Sequence, residues 1–272
     1  MINLNGKLIE ESDFALNHQN RAFKYGDAIF DTLKYEGGSV HYIEDHYFRL
    51  MSSLRMLRMS IPMKFTLNFY ENEILKTLKT YASDKAIRIR VTVFRKEGGL
   101  YNPLSNEINF VIEVSELTLS IINNYEIELY KDFHVFSGIL STIKTNNKLI
   151  NVLANIYASE NNYQNCILIN ERKHIVEATN ANIFLIRGNE ILTPPLSEGC
   201  INGIIRKKII DRLKGSDHFV LKEIPISPFD LLKVEEVFIT NSIIEIQSVH
   251  QFRKKIYRTK KTQEIERLFE QN

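Results

Sequence analysis

Three segments decide the reading: Glu177-Ala178-Thr179-Asn180-Ala181-Asn182-Ile183-Phe184, then Ile191-Leu192-Thr193, then Ile201-Asn202-Gly203-Ile204-Ile205-Arg206. The first runs into a strand over 181–187, and Gly203 opens a helix that continues to about Arg212. Glu177 falls between the turn Glu171-Arg172-Lys173 and a strand, a place where a carboxylate is held rigidly. Gly203-Ile204-Ile205 at a helix start offers backbone N–H groups and the positive end of the dipole to an anion. A lone glutamate at a strand edge or a lone glycine before a helix carries no function. Together in one register they are the strongest signal in the chain.

Outward from this stretch, the pattern predicts further strands at 126–130, 165–170 and 236–240. It also predicts a helix from about Asn147 to Glu160. Leu149, Val152, Leu153, Ile156 and Tyr157 form its apolar stripe, which predicts a core-facing side. Towards the N-terminus the pattern predicts a strand over 40–43 and helices over 44–57 and 65–81. Residues 87–94 alternate, with Arg88, Arg90 and Thr92 on one face and Ile87, Ile89, Val91 and Val93 on the other. A partner strand follows at 108–114. The polar residues around Ile122-Asn123-Asn124 suggest a connection between a smaller domain, 1–117, and a larger one, 118–272. Strands and helices do not alternate strictly, so the fold class is α+β, and no G-x-G-x-x-G follows a strand.

The 272 residues suffice for a sizeable core, and 44% are hydrophobic. With 35 basic against 33 acidic residues the net charge is +2, which gives no field to draw nucleic acid or a membrane surface. The basic run Arg253-Lys254-Lys255, with Arg258, Lys260 and Lys261, reads as a solvated face. Cys166 and Cys200 are too few for a disulfide framework and lack metal-ligand spacing, and Cys166 in its apolar run reads as a buried thiol. The start lacks a basic segment leading into an apolar one, and no apolar run is long enough to span a bilayer. A cytoplasmic protein is expected.

The three opening segments resemble the signature of the class IV aminotransferases, the fold-type IV pyridoxal-phosphate enzymes. These include branched-chain and D-amino acid aminotransferases and aminodeoxychorismate lyase. Ile143-Lys144-Thr145-Asn146-Asn147 is similar to the family's Lys-x-x-Asn stretch, and His46-Tyr47-Phe48-Arg49-Leu50 to its His-x-x-Arg-Leu. Tyr25-Gly26-Asp27-Ala28-Ile29-Phe30 resembles its Tyr-Gly-Asp-Gly-x-Phe, with Ala28 in place of the second glycine. The resemblance spans about Asn20 to Val249. It implies a two-domain α+β fold with pyridoxal 5'-phosphate in the cleft between domains, and a homodimer.

The resemblance further implies roles. Lys144 would carry the cofactor as a Schiff base and serve as general base, since a lysine amine can be made available in its neutral form. Glu177 would keep the pyridine nitrogen protonated, as the ring needs to draw electrons from a substrate. Arg49, the Gly203-Ile204-Ile205 amides, Asn241 and Ser242 would hold the phosphate. Tyr25 and Phe30 are candidates for the pocket wall. Arg88, Arg90 and Arg95 are candidates for a substrate carboxylate. Lys148 reads as a solvent-facing neighbour.

The reaction implied is transfer of an amino group between an amino acid, of branched-chain or D-amino acid type, and a 2-oxo acid. Aminodeoxychorismate lyase, releasing pyruvate and 4-aminobenzoate, is the alternative. Phe94-Arg95-Lys96-Glu97-Gly98-Gly99-Leu100-Tyr101-Asn102-Pro103 is similar to the lyase's loop, as are Asn202-Gly203-Ile204-Ile205-Arg206 and Thr240-Asn241-Ser242. Leu100, however, stands where that loop has a cation. A non-catalytic carrier or regulator that binds the cofactor is a third reading, disfavoured by the retention of Lys144, Glu177 and Arg49.

Overall fold

The alternation beginning at Ile87 forms a nine-residue strand in which Ile87, Ile89, Val91 and Val93 are all buried. The computed structural model describes residues 1–81, 85–118 and 122–270. The chain divides into two units, Met1–Leu119 with Lys144–Asn147, and Ser120–Ile143 with Lys148–Asn272.

Unit 1 has strands β1 (Ile2–Leu4), β2 (Lys7–Ile9), β3 (Ala28–Glu36), β4 (Ser39–Val40), β5 (Ile87–Arg95) and β6 (Ile108–Glu116). They form one sheet in the order β2-β1-β6-β5-β3-β4. Its helices are α1 (Arg21–Tyr25), α2 (Ile43–Met56) and α3 (Leu67–Leu78). The strand expected at 40–43 ends at Val40. Gly37 and Gly38 (φ +59° and +83°) close the β3–β4 hairpin, and Tyr42 at φ +53° turns the chain into α2. Glu44 and Asp45 in the first turn of α2 complement the positive end of its dipole, and Leu50, Met51 and Leu54 are its buried apolar residues. The helix expected over 65–81 is shorter, starting where the Thr66 hydroxyl accepts the Phe69 N–H.

Lys144–Asn147 belongs with unit 1, unlike in a single cut at residue 118. The reason is backbone pairing: Phe30 N–H donates to Lys144 O at 2.9 Å, and Asn146 N–H donates to Ala28 O at 2.9 Å. The reactive-lysine candidate is therefore fixed to β3 by its own main chain.

Unit 2 contains β7 (Glu126–Leu129), β8 (Asn165–Ile169), β9 (Ile175–Ala178), β10 (Asn182–Arg187), β11 (Glu190–Thr193), β12 (Val220–Glu223), β13 (Glu236–Asn241), β14 (Glu245–Val249), β15 (Gln251–Phe252) and β16 (Lys255–Ile256). They form two five-stranded sheets, β12-β11-β10-β13-β14 and β16-β15-β7-β8-β9. One apolar cluster, including Ile127, Ile167, Ile183, Leu185, Val237 and Ile239, joins residues from both sheets. Phe184 and Phe238, opposite each other on β10 and β13, stack with centroids 4.8 Å apart. The helices are α4 (Leu149–Glu160), α5 (Ile204–Leu213) and α6 (Lys260–Glu270). The buried Glu236 carboxylate caps α6, accepting the Lys261 and Thr262 N–H groups at 2.9 and 2.8 Å.

The α4 stripe does not all face the core as expected. Leu153 and Tyr157 pack on Tyr130, Cys166 and Leu168, but Leu149, Val152 and Ile156 are 70%, 51% and 48% exposed. The helix is rotated because small residues, Ala154 and Ala158, make its closest approach, while Asn151 donates to Thr179 O at 2.6 Å. Cys166 is buried, and burial pushes its thiol up to about 12. Among the described residues no helix is long and apolar enough to cross a membrane.

Candidate active site

In unit 1, the strand pairing that sets Phe30 opposite Thr92 puts Arg90 on the same face as Phe30. The Arg90 guanidinium carbon lies 3.8 Å from the Phe30 ring centroid, and Lys144 Nζ lies 4.6 Å from the same centroid. One aromatic ring thus seats an amine and a guanidinium. Burial lowers the pKa of Arg90, and Glu113, 4.0 Å away, opposes the shift. Arg88, on the same strand face, is exposed.

Asp31 faces the other side of β3. Its Oδ1 is 2.9 Å from His46 Nδ1, and its carboxylate accepts Arg49 Nε at 3.2 Å and pairs with Arg49 Nη2. His46 and Arg49, three residues apart on α2, share one helix face. Burial alone would raise the Asp31 carboxyl, but Arg49 and His46 hold it well below the usual carboxylate range. The Arg49 side chain is 14% exposed, so this charge is presented in a fixed orientation.

Arg95 is 7% exposed, and its guanidinium is engaged within unit 1: Nε donates to Asp27 at 2.9 Å, Nη1 to Asn106 at 2.5 Å and Nη2 to Leu57 O at 2.8 Å. Asp27 also accepts Arg21 Nε at 2.9 Å, and Arg21 Nη1 reaches the carbonyls of Gly98 and Leu100. Arg21 is a strut of the loop at 96–103, whereas Arg95 ties the end of β5 to Asp27, Leu57 and Asn106. Tyr25 is half-buried beneath Arg21 and lies 5.7 Å, centroid to centroid, from Tyr101.

In unit 2, Glu177 on β9 is 7% exposed and accepts the Ile201 N–H at 2.9 Å. Asn182 Nδ2 donates to Ile201 O at 2.9 Å and lies 3.5 Å from Glu177 Oε2. Gly203 is the N-cap of α5, which has no side-chain cap, and a Cβ there would lie 2.0 Å from Asn182 Oδ1. The remaining polar positions of the opening stretch also have jobs. Thr193 Oγ1 donates to Ile183 O at 2.8 Å, and Arg206, 3% exposed, donates to Pro194 O at 2.9 Å and Glu223 at 2.6 Å.

Asn241 shapes its own turn, accepting from the Ile243 and Ile244 amides and donating to Asn180 O. Ser242 beside it is half-buried, and Thr240 Oγ1 is buried without a hydrogen-bond partner among the described residues. Lys148 is half-buried, not solvent-facing: burial lowers its pKa, and the Glu177 carboxylate opposes the shift.

These features suit pyridoxal phosphate: a buried carboxylate for a ring nitrogen, an uncapped helix start for a phosphate, an orphaned hydroxyl at the end of β13, and a main-chain-anchored lysine. Comparison with known proteins agrees. The family model for amino-transferase class IV matches residues 28–252. The chain belongs to the class IV aminotransferases. It is accordingly a pyridoxal-phosphate enzyme with the two-domain α+β fold of that family.

This aminotransferase is 26% identical to a putative branched-chain-amino-acid aminotransferase of Methanocaldococcus jannaschii, covering 97% of this chain and 92% of the relative. It is 24% identical to the aminodeoxychorismate lyase of Vibrio harveyi (85% and 84% covered). It is 25% identical to the D-alanine aminotransferase of Bacillus licheniformis (89% and 84% covered). Among solved structures it matches a branched-chain aminotransferase of Thermoproteus uzoniensis at a TM-score of 0.89 and 20% identity, covering 100% and 95% of the two chains. A Brucella abortus aminotransferase bound to its cofactor matches at 0.86 and 20% identity, with 98% and 96% covered.

Asp31, His46 and Asn182 were not expected beside the candidate residues. The His-x-x-Arg spacing did signal one helix face, whereas the Asp31 contact depends on how β3 meets α2.

Proposed function

We propose that this enzyme moves an amino group between an amino acid, of branched-chain or D-amino acid type, and a 2-oxo acid. The observation that supports it is the shared Phe30 ring, which sets the Lys144 amine and the Arg90 guanidinium side by side. Arg90 receives the substrate carboxylate, which orients the α-carbon towards Lys144. Lys144 would carry the cofactor in the resting enzyme, and its amine, once displaced by the amino group of the substrate, would take the α-proton as general base. When bound, pyridoxal phosphate supplies the electron sink that makes this proton labile. The buried Glu177 carboxylate, fixed by the Ile201 amide, would keep the ring nitrogen protonated. Arg49 of unit 1 and, in unit 2, the α5 N-terminus and the Ser242 hydroxyl would hold the phosphate. Arg95, tied to Asp27, Leu57 and Asn106, is read as a structural tie rather than a carboxylate receptor, and Arg88 as a surface charge.

The lyase reading has support in the Vibrio harveyi relative. Against it, Leu100, 73% exposed on its loop, puts an apolar side chain where a dicarboxylate would call for a cation. Incubation with L- and D-amino acids plus 2-oxoglutarate, and separately with aminodeoxychorismate, tests the choice. Glutamate formation is expected. Release of pyruvate and 4-aminobenzoate without glutamate formation would overturn it.

The enzyme is proposed to act as a homodimer. Leu149, Val152 and Ile156 on α4 form an exposed apolar row that a second copy would cover.

A further inference from the structure

Glu198 is a buried carboxylate with no part in the reaction described above. It is 5% exposed, and three side chains converge on its Oε2: Asn170 Nδ2 at 2.6 Å, Arg172 Nη2 at 3.0 Å and His174 Nδ1 at 3.0 Å. Asn170 also grips the Glu198 carbonyl at 3.1 Å, and Arg172 the Ser197 carbonyl at 3.1 Å. Burial would raise this carboxyl, but Arg172, Asn170 and His174 hold it below the usual range.

Asn170, Arg172 and His174 lie on the turn that leads directly into β9, whose third residue is Glu177. Asn170 organises that turn, its Oδ1 accepting the Arg172 and His174 amides at 3.0 Å each. After Glu198 the chain reverses at Gly199 (φ +101°), where a side chain would also press on Ser137. Cys200 Sγ faces the Pro194 carbonyl at 3.6 Å, closing the base of the strap. The next amide, Ile201 N–H, is the one that Glu177 accepts, and two residues later Gly203 caps α5.

We propose that Glu198 is a positioning residue for the cofactor: by anchoring this strap to the turn before β9, it fixes both the amide that orients Glu177 and the α5 N-terminus. The inference rests on the reading that Glu177 and α5 receive the ring nitrogen and the phosphate. Its physical basis is precision. A carboxylate and a helix start serve a bound group only when held to a fraction of an ångström, and a short strap gripped at one end supplies that.

Glu198→Gln keeps the side chain's size while removing the charge that Arg172 and His174 stabilise. The apoenzyme is titrated with pyridoxal phosphate by equilibrium dialysis, and the ¹⁵N resonance of ring-labelled cofactor reports protonation of the pyridine nitrogen. Glu198→Gln is expected to bind the cofactor about tenfold more weakly, as for loss of a charge-assisted hydrogen bond, and to move the resonance towards its unprotonated position. Wild-type affinity and an unmoved resonance overturn the inference. So does weaker binding with an unmoved resonance, because a merely structural loss leaves ring protonation intact. If Glu198→Gln does not fold, Arg172→Gln, altering a half-exposed partner, carries the same readouts. Glu177→Gln run alongside separates two failures. An unmoved resonance there overturns the reading of Glu177 and the inference with it. A moved resonance there, with none in Glu198→Gln, overturns the inference alone.

Discussion

Gly203 and Asn182 stand so close that a methyl group on Gly203 would lie 2.0 Å from Asn182 Oδ1. Asn182 cannot swing aside without releasing the Ile201 carbonyl, which its amide holds at 2.9 Å. Gly203 is at φ −70°, so the demand for glycine is one of space, not of backbone conformation. Gly203→Ala is therefore expected to cost about 1–3 kcal/mol of stability through overpacking and to weaken cofactor binding. Urea unfolding and a cofactor titration check it; wild-type values in both would show that the cap has room.

Lys144 is anchored by its own carbonyl to the Phe30 amide, so removal of the side chain leaves its main-chain pairing in place. Lys144→Ala is expected to fold, to lose amino-group transfer, and to lose the visible absorbance band of lysine-linked cofactor. If the band survives in the purified variant, another lysine is the carrier.

Arg90 and Arg95 give opposite predictions although five residues apart on one strand. Arg90 sits over Phe30 beside Lys144, and Arg90→Gln is expected to raise KM for the amino donor about tenfold or more with the cofactor band unchanged. Arg95 holds Asp27, Asn106 and Leu57, and Arg95→Gln is expected to lower the melting temperature. Steady-state kinetics and thermal melts on both variants decide it. A KM defect in Arg95→Gln and none in Arg90→Gln would reverse the assignment.

The contrast also shows what the sequence could convey. Alternation over 87–94 revealed which residues share a face, because strand periodicity is local, and Ile87, Ile89, Val91 and Val93 are indeed buried. It could not reveal that Arg95, at the strand's end, turns into a carboxylate and two carbonyls supplied by distant loops. The segments around Glu177 and Gly203 were readable because their spacing is a family pattern. Asp31 was not, since its importance arises only where β3 meets His46 and Arg49 of α2. The rotation of α4 was hidden for a related reason. An apolar stripe indicates that something covers it, and a covering partner and a core leave the same periodicity.

Leu149 and Val152 are 70% and 51% exposed on α4, too apolar a pair for a solvent face in a helix whose other side packs well. If a second copy covers this face as proposed, Leu149→Glu with Val152→Glu is expected to leave a monomer without unfolding unit 2. Sedimentation velocity with circular dichroism checks it. An unchanged sedimentation coefficient would overturn the proposal that a second copy covers this face.

Asp31 links unit 1 to pH. It is 1% exposed, and Arg49 and His46 depress its carboxyl below the value of an unfolded aspartate, about 3.9. A group whose folded pKa is depressed adds stability that is present above the unfolded pKa and lost as pH falls towards the folded one. Asp31→Asn removes this charge from beside His46 and Arg49. At pH 7 the variant is expected to be less stable than the wild type. The gap should narrow once pH drops below about 4, where the wild type begins to lose the same contribution. Urea midpoints from pH 7 to pH 3 measure this. A gap that stays constant across the range would mean that Asp31 stabilises the sheet through packing, and that Arg49 is held in place by something other than its charge.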